Sequence, residues 1–440
     1  MVGCLLGDRV VDVIANLPAA GRAARILANP GTVTTEAAAL YLDLHAHPEL
    51  SGAERRTAGL LAGWLARDGL PVVRDVGGHG VVGVLANGAG PTVLLRAELD
   101  ALPVAEQTGL PYASTATGVD PDGRTVPVMH ACGHDLHLAA VAGAARLLAG
   151  SRDRWRGTLL VVGQPAEETL DGARAMLDDG LYQRFGLPDA AFAQHTAPLP
   201  AGMVAHGTGA VLAASRTVEV VIHGRGGHAA TPYLAVDPIV VAAAVILRCQ
   251  AIVAQQTVPG EQAVVSVGSV RAGERGNVLP DTARLGITLR ALHPASLARM
   301  CTALERVVRA ECDASGCVEP PEFRILAQSP VLTPDPALTS AVRAAHEELL
   351  GAARVATWPP SLATEDFPYL AAGGVATAYW MLGSVGPRQW AAAQGPDAPA
   401  LPANHSPRFA PQLAQTLPTG IAALVTAVLT QLPPGPADGG

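Results

Sequence analysis

The chain has 440 residues, which is more than one ordinary hydrophobic core accommodates, so its length favours two domains. Hydrophobic residues make up 49% of the chain and charged residues only 15%, a balance that excludes a disordered or fibrous protein. The net charge of −8 is modest and the basic residues are scattered, which excludes a nucleic-acid partner, and all 30 basic residues are Arg, which excludes chemistry on a Lys Schiff base.

The first part of the chain alternates between helical and extended runs. Apolar residues at helical spacing predict one helix over residues 34–47, which Pro48 ends, and a second over residues 53–68. Further along, extended runs are predicted at residues 81–85, 92–96 and 158–162. An Ala-rich helical segment at residues 137–148 lies between the second and the third of them. This alternation is typical of an α/β domain.

The pattern changes between residues 213 and 327. Strand, helix, strand, strand, helix and strand are predicted there, which is the β-α-β-β-α-β order of a ferredoxin-like unit. These six elements are placed at residues 217–223, 237–255, 263–270, 283–291, 295–314 and 319–326. A helical run and an extended run then resume, so we predict that the unit at 213–327 is inserted into a catalytic domain made of residues 1–212 and 328–440.

Cysteine usage and apolar runs indicate where the protein works. The six cysteines form no CxxC pair, which favours a reducing compartment over a disulfide framework. Asp8, Arg9 and Asp12 interrupt the apolar start of the chain, so we expect no signal peptide. The longest strongly apolar run is about half the roughly 20 residues that a membrane-spanning helix needs. We therefore expect a cytoplasmic protein with no membrane partner.

Two short stretches concentrate groups that bind metals. The run from His130 to His137 contains three imidazoles, a thiol and a carboxylate. The extended run at 158–162 leads into Gly-Gln-Pro, so Glu167 and Glu168 follow the carboxyl end of a strand, where active sites of α/β sheets lie. On such a loop two adjacent carboxylates can converge, one to bind a metal and the other to take a proton from water.

His195 and His405 complete a set of ligands from distant parts of the chain. Together with Cys132, His134 and Glu168 they offer nitrogen, sulfur and oxygen donors, enough for two ions if a ligand or a water bridges them. A thiolate in the set favours Zn²⁺ or a similar transition metal over Mg²⁺ or Ca²⁺. We expect two divalent ions, Zn²⁺ in the first place, with Mn²⁺, Co²⁺ and Ni²⁺ as alternatives.

These motifs, in this order, resemble the M20 metallopeptidase family, in particular its amidohydrolase branch of aminoacylases, hippurate hydrolases and auxin-conjugate hydrolases. Matching motifs run through nearly the whole chain, at residues 47–50, 95–103, 130–137, 164–168, 224–230, 276–280, 365–367 and 405–407. The chain departs from the family pattern at two places. Glu98 stands where the family usually has Asp, and Thr169-Leu170-Asp171 replaces a Gly-rich continuation.

The resemblance implies a fold and a role for each matched residue. The implied fold is a zinc-peptidase-like α/β catalytic domain with an inserted ferredoxin-like lid, which also forms the contact of a homodimer. The metal ligands correspond to Cys132, in the bridging position, and to His134, Glu168, His195 and His405. Glu167 corresponds to the general base, His228 to an oxyanion contact, and Asn277 and Arg290 to residues that bind the carboxylate of the substrate.

We therefore expect metal-dependent hydrolysis of the amide bond of an N-acyl amino acid, with Glu167 as the base. Three alternatives stay open. The same scaffold could act as a dipeptidase or carboxypeptidase, Cys132 could be a thiol nucleophile paired with His134 or His137, or the chain could be a non-catalytic metal-binding relative. An uncoordinated Glu167 beside a full ligand set argues against the last alternative, because a binding module needs no base.

Overall fold

The computed structural model describes residues 21–28, 30, 32–395 and 397–438. Residues 8–12, on which the expectation of no signal peptide depends, and Cys4 lie outside the described residues. Contacts divide the described chain into two units. The smaller unit consists of residues 210–333 and 359–368, and the larger one consists of the described residues before and after these segments. The smaller unit therefore interrupts the chain path of the larger one.

A mixed sheet of eight strands is the centre of the larger unit, as far as the chain is described. Numbered in chain order, its strands are β1 (Val72–Val76), β2 (Gly80–Asn87), β3 (Thr92–Glu98), β6 (Gly157–Gln164), β7 (Ala190–Pro200), β8 (Val204–His206), β15 (Val355–Thr357) and β16 (Ala376–Val385). Their order across the sheet is β1-β2-β6-β3-β7-β16-β8-β15. The four central strands β6, β3, β7 and β16 are parallel to one another. A separate hairpin pairs β4 (Thr117–Val119) with β5 (Thr125–Pro127).

One buried helix organises the core of the larger unit. The helices of this unit are α1 (Arg22–Leu27), α2 (Val33–Ala46), α3 (Arg55–Arg67), α4 (His134–Ala149), α5 (Gly172–Asp178), α6 (Leu181–Phe185), α10 (Pro336–Leu350), α11 (Pro387–Ala392) and α12 (Leu413–Leu429). Helix α4 is Ala- and Leu-rich on all sides and is buried along nearly its whole length, packed against α2, α3, α12 and β3. This packing fixes the position of His134, the first residue of α4.

The smaller unit has the predicted ferredoxin-like order. Its elements are β9 (Ala214–His223), α7 (Pro238–Cys249), α8 (Ile252–Gln256), β11 (Ala263–Ala272), β13 (Thr282–Ala291), α9 (Pro294–Ala314) and β14 (Glu322–Ser329), with a short pair β10 (Gly227–His228) and β12 (Val278–Leu279). The antiparallel order β11-β13-β9-β14 confirms the predicted α/β fold with an inserted ferredoxin-like unit.

Two predicted boundaries in the smaller unit were wrong. The helix predicted over 237–255 is divided into α7 and α8, because Ala251 N–H donates to Arg248 O in a tighter i to i−3 turn. The strand predicted to begin at 319 begins at Glu322, because Pro320 and Pro321 have no N–H to give to a sheet.

Within the described residues, no helix is long and apolar enough to cross a membrane.

Two buried histidines join the last strands of the large sheet to the helices behind it. His206 Nε2 lies 3.0 Å from His346 Nδ1, and His346 Nε2 lies 3.0 Å from the Ala423 carbonyl oxygen. Because that carbonyl only accepts, His346 carries its proton on Nε2 and His206 is the donor between the rings. Burial lowers the pKa of His346 to about 4, and burial together with His346 lowers the pKa of His206 to about 2. Both rings are therefore neutral in the folded protein.

Because these two histidines are neutral in the folded state, we expect the folded protein to lose stability as the pH falls. The unfolded chain binds protons below the ordinary histidine pKa of 6.5, whereas the folded state resists them, so stability present above pH 6.5 is lost as the pH falls towards 4. In the wild type, the free energy of unfolding should be lower at about pH 5 than at about pH 7.5. We expect this decrease to be smaller by roughly 2 kcal/mol in His346→Gln. Urea unfolding at both pH values measures this. His47→Gln, at a half-exposed histidine, is the control, and an unchanged pH dependence in His346→Gln contradicts the prediction.

Candidate active site

The site begins where two neighbouring parallel strands end. Glu98, the last residue of β3, is in register with Gln164, the last residue of β6, and the next residue, Leu99, donates its N–H to the Gln164 carbonyl at 2.8 Å. The loops that follow these two strands stay in contact. Asp100 Oδ2 accepts the backbone N–H of Glu168 at 2.9 Å, so the loop that carries the paired glutamates is attached to the end of β3.

Local backbone geometry explains the glycine between Cys132 and His134. Gly133 has a φ of 83°, in the left-handed region, and caps the start of α4. A Cβ atom at this position would lie 2.7 Å from the Thr196 hydroxyl oxygen, closer than any side chain tolerates. Glycine therefore lets β7 approach the turn, and this approach brings His195 of β7 close to the thiol of Cys132.

The structure brings the five candidate metal ligands together. Cys132 Sγ lies 3.4 Å from His195 Nε2. His134 Nε2 lies 3.8 Å from Glu168 Oε1, which is itself 3.3 Å from His405 Nε2. Donor atoms of Cys132, His134 and Glu168 are all within 4.8 Å of one another. The five side chains come from four separate stretches of sequence, yet their donor atoms form one cluster at the ends of the central strands.

Two atoms of this cluster have hydrogen-bonding capacity that the protein leaves unused. His134 Nδ1 faces the carbonyl and carboxylate oxygens of Asp100 at 2.9 and 3.1 Å, so Nδ1 keeps its proton and Nε2 is the nitrogen that can bind a cation. Among the described residues, His134 Nε2 and Glu168 Oε1 are buried without a hydrogen-bond partner. Buried lone pairs without a partner are costly, and a bound cation satisfies both. A thiol, three imidazoles and a carboxylate are the donors that a transition metal prefers, so the residues present fit a metal centre.

The charges in the cluster bear on the role of the thiol. Burial opposes the charged form of His134, but the hydrogen bond to Asp100 and the nearby carboxylates raise its pKa to about 10, so a cation bound at Nε2 would take the place of a proton there. Burial and the carboxylates of Glu168 and Glu167 raise the pKa of Cys132 well above its usual range. Without a bound cation this thiol stays protonated, which disfavours the alternative in which Cys132 attacks the substrate as a thiolate, whereas a metal ion would supply the charge that favours the thiolate.

Glu167 is buried beside the cluster on a turn of unusual conformation. Its Oε2 atom lies 3.7 Å from His134 Nε2, the atom that also faces Glu168. Ala166 has a φ of 51° and Leu170 a φ of 60°, both in the left-handed region, and Leu170 N–H donates to the Glu167 carbonyl at 2.7 Å. The turn directs the two adjacent glutamates to the same side, as the sequence predicted for a loop.

Two buried acids that support this geometry were not identified from the sequence. Glu54 Oε1 accepts the backbone N–H of Ala166 at 2.8 Å and that of Gly52 at 2.7 Å, and burial raises the pKa of Glu54 to about 7. Asp100 holds both His134 and the Glu168 backbone. Asp100 could have been identified, because it follows a strand end in a matched motif, whereas no sequence pattern connects Glu54 with a residue 112 positions later.

The three remaining predicted site residues lie in the smaller unit. His228 is exposed on β10, and its Nδ1 accepts the N–H of Ala230 at 3.0 Å. Asn277 is exposed beside it, and its carbonyl accepts the N–H of Ala229 at 3.2 Å. The half-buried guanidinium of Arg290 donates from Nη1 to the Leu362 carbonyl at 3.0 Å. His228 and Asn277 are thus neighbours, and the roles of all three residues stay predictions.

Comparison with known proteins decides the family. Residues 94–429 match the profile of Peptidase family M20/M25/M40. The chain belongs to this family. It is 35% identical over 344 residues to the N-acetyl-L-cysteine deacetylase of Bacillus subtilis, covering 78% of this chain and 79% of that protein. It is also 40% identical over 251 residues to the hippurate hydrolase of Campylobacter jejuni, covering 57% of this chain and 62% of that protein.

Solved structures of the M20 family share the fold. The dinuclear metal-binding peptidase YXEP of Bacillus subtilis has a TM-score of 0.67 and 28% identity to this M20 member, covering 90% of this chain and 98% of that one. The resemblance to the M20 family that the motifs indicated is confirmed, and the protein is a hydrolase that acts on amide bonds.

The left-handed turn of this M20 member can be tested at Leu170, where the family pattern has a Gly-rich segment. We expect Leu170→Gly to be more stable than Leu170→Ala by about 1 kcal/mol, the reverse of the usual order, because only glycine adopts a positive φ without steric cost. Both variants lose the same side-chain atoms beyond Cβ, so their difference isolates the backbone. Urea unfolding measures it, and a more stable alanine variant would falsify the prediction.

Proposed function

We propose that this protein hydrolyses the amide bond of N-acyl amino acids at a binuclear metal centre. The observation that carries the proposal is the cluster of five donors beside Glu167, a carboxylate that the ligand set does not require. Relatives named as N-acetyl-L-cysteine deacetylase and hippurate hydrolase support the substrate class, since both names denote removal of an acyl group from the nitrogen of an amino acid.

Cys132, His134, Glu168, His195 and His405 would hold the two ions, and Cys132 would contribute its thiolate. Sulfur and imidazole donors favour Zn²⁺, with Mn²⁺, Co²⁺ and Ni²⁺ as alternatives. When bound, the ions supply Lewis acidity, which lowers the pKa of a water and polarises the amide carbonyl.

Glu167 performs the proton transfers of the proposed reaction. Its carboxylate lies 3.7 Å from the free nitrogen of His134, close enough to the donor cluster to take a proton from a water held there. It then gives this proton to the nitrogen of the leaving amine, so that the amine departs neutral. The Glu54 carboxylate contributes by holding the N–H of Ala166, which fixes the turn that carries Glu167.

His228, Asn277 and Arg290 are proposed to act on the same substrate from the smaller unit. A histidine can donate a hydrogen bond to the developing oxyanion, and a guanidinium pairs with a carboxylate through two parallel hydrogen bonds. A homodimer formed through the smaller unit is also proposed. Exposed Val270, Ile325 and Leu326 on its outer strands support this contact, because strand edges with apolar side chains favour pairing.

Replacement of the proposed base tests the mechanism. We expect Glu167→Ala to lower kcat by about 10²- to 10⁴-fold without loss of bound metal, because the variant loses a proton acceptor but no ligand. Steady-state kinetics and metal analysis measure the two quantities. Asp171→Asn, at a half-exposed acid on the same loop, is the control and should keep wild-type kcat. Hydrolysis at the wild-type rate by metal-loaded Glu167→Ala would refute the assignment of the base.

Metal removal and a matched substrate pair test the reaction class. We expect chelation to abolish hydrolysis and Zn²⁺, Mn²⁺, Co²⁺ or Ni²⁺ to restore it to different extents. The reconstituted enzyme should cleave N-acetyl and N-benzoyl amino acids faster than dipeptides of the same amino acids. Activity that survives chelation but is lost on alkylation of Cys132 would support the thiol mechanism instead, and preference for dipeptides would support a peptidase.

A further inference from the structure

Glu98 departs from the family pattern and lies at the centre of a buried hydrogen-bond network next to the candidate ligands. Its side chain is 1% exposed. Oε1 accepts from Arg96 Nη1, and Arg96 Nε donates to Gln164 Oε1 at 2.8 Å. Oε2 lies 2.8 Å from His137 Nδ1. Both carboxylate oxygens are therefore occupied, one by an arginine and the other by a histidine that is not among the proposed ligands.

The direction of each hydrogen bond in this network is fixed. The backbone N–H of Thr196 donates to His137 Nε2 at 2.8 Å, and a backbone amide can only donate. His137 Nε2 is therefore unprotonated, and the proton of the neutral ring is on Nδ1, where Glu98 accepts it. Burial opposes the charge on Glu98, but Arg96 and His137 hold the pKa of this carboxyl well below its usual range.

Thr196 connects this network with two candidate ligands. Its hydroxyl donates to the Cys132 carbonyl at 3.0 Å, and its own carbonyl accepts from His195 Nδ1 at 2.9 Å. The second contact leaves His195 Nε2 directed at Cys132 Sγ, 3.4 Å away. The position of the Thr196 backbone therefore determines how far apart the thiol and this imidazole lie.

We propose that Glu98 is a positioning residue of the metal centre, which acts through His137 and Thr196 to set the separation of Cys132 and His195. The proposal rests on the proposed function only in assigning Cys132 and His195 as ligands. A carboxylate of glutamate length is required in this chain, because one side chain has to reach both Arg96 and His137 while it accepts at each end.

Two substitutions separate the effect of the length of the Glu98 side chain from the effect of its charge. Glu98→Asp keeps the carboxylate but shortens the side chain by one methylene, so it cannot keep both contacts at their present distances. Glu98→Gln keeps the length but replaces one acceptor with an NH₂ donor, which then faces either the arginine or His137 Nδ1–H. We expect each variant to bind Zn²⁺ and Co²⁺ about 10- to 100-fold more weakly than wild type, the usual effect of losing a residue that orients a ligand.

Competition with a chromophoric chelator measures these affinities without reference to activity. The visible absorption of the Co²⁺-loaded protein reports the thiolate and imidazole geometry directly, and we expect it to shift in both variants. Asp68→Asn is the matched control, since it removes a mostly buried carboxylate that pairs with Arg146 at 2.8 Å near the opposite end of α4. This control should lower stability while leaving affinity and spectrum unchanged.

Affinities within about twofold of wild type in both Glu98 variants, or an equal loss in Asp68→Asn, would overturn the proposal. A measurement on the wild-type protein covers the case in which the variants do not fold. In ¹⁵N spectra of the histidine rings, the ring that shows contacts with the Thr196 amide proton should be the Nδ1–H tautomer. A proton on Nε2 of that ring would equally overturn the proposal. Because none of these readouts uses turnover, a failed substrate assay would not affect them.

Discussion

A single buried carboxylate, that of Asp100, constrains the geometry of the whole candidate site. The side chain is fully buried, where an ionised group is tolerated only if its oxygens are hydrogen-bonded. Its donors are His134 Nδ1, the backbone N–H of Glu168 and the hydroxyl of Ser51 at 2.7 Å. Two of these three donors belong to candidate metal ligands. The same contacts that make the buried charge tolerable therefore fix where the ligands lie.

The polar interior of the site depends on an apolar framework nearby. Arg96, Glu98, His134 and His137 are all buried, and each needs its partners in a set orientation. Helix α4 supplies this rigidity, since its Ala and Leu side chains pack on every side while its first turn carries two of the histidines. Trp64 adds to it by donating from Nε1 to the Ala142 carbonyl at 2.9 Å. A well-packed helix thus holds the reactive groups at its amino end.

The sequence alone was sufficient to predict the structure where a local pattern determines it. The Ala-rich run at 137–148 predicted most of α4, and Gly-Gln-Pro after an extended run placed Glu167 and Glu168 on a loop at a strand end. The sequence was insufficient where contacts between distant segments of the chain determine the structure. The short strand β8 contains only three residues, too few for a periodic pattern, and exists because β16 and β15 pair with it. The contacts that Thr196 makes with His137 and Cys132 likewise depend on tertiary packing alone.

The two ends of the inserted segment meet within the smaller unit. Leu212 and Leu332 form an antiparallel bridge, with Val211 N–H donating to the Leu332 carbonyl at 2.8 Å and Leu332 N–H to the Leu212 carbonyl at 3.1 Å. The chain therefore leaves this unit beside the point where it entered, before residues 359–368 return to it. Because the two ends of the segment lie side by side, a change in the length of the chain between them would leave the order of the strands in the large sheet unchanged.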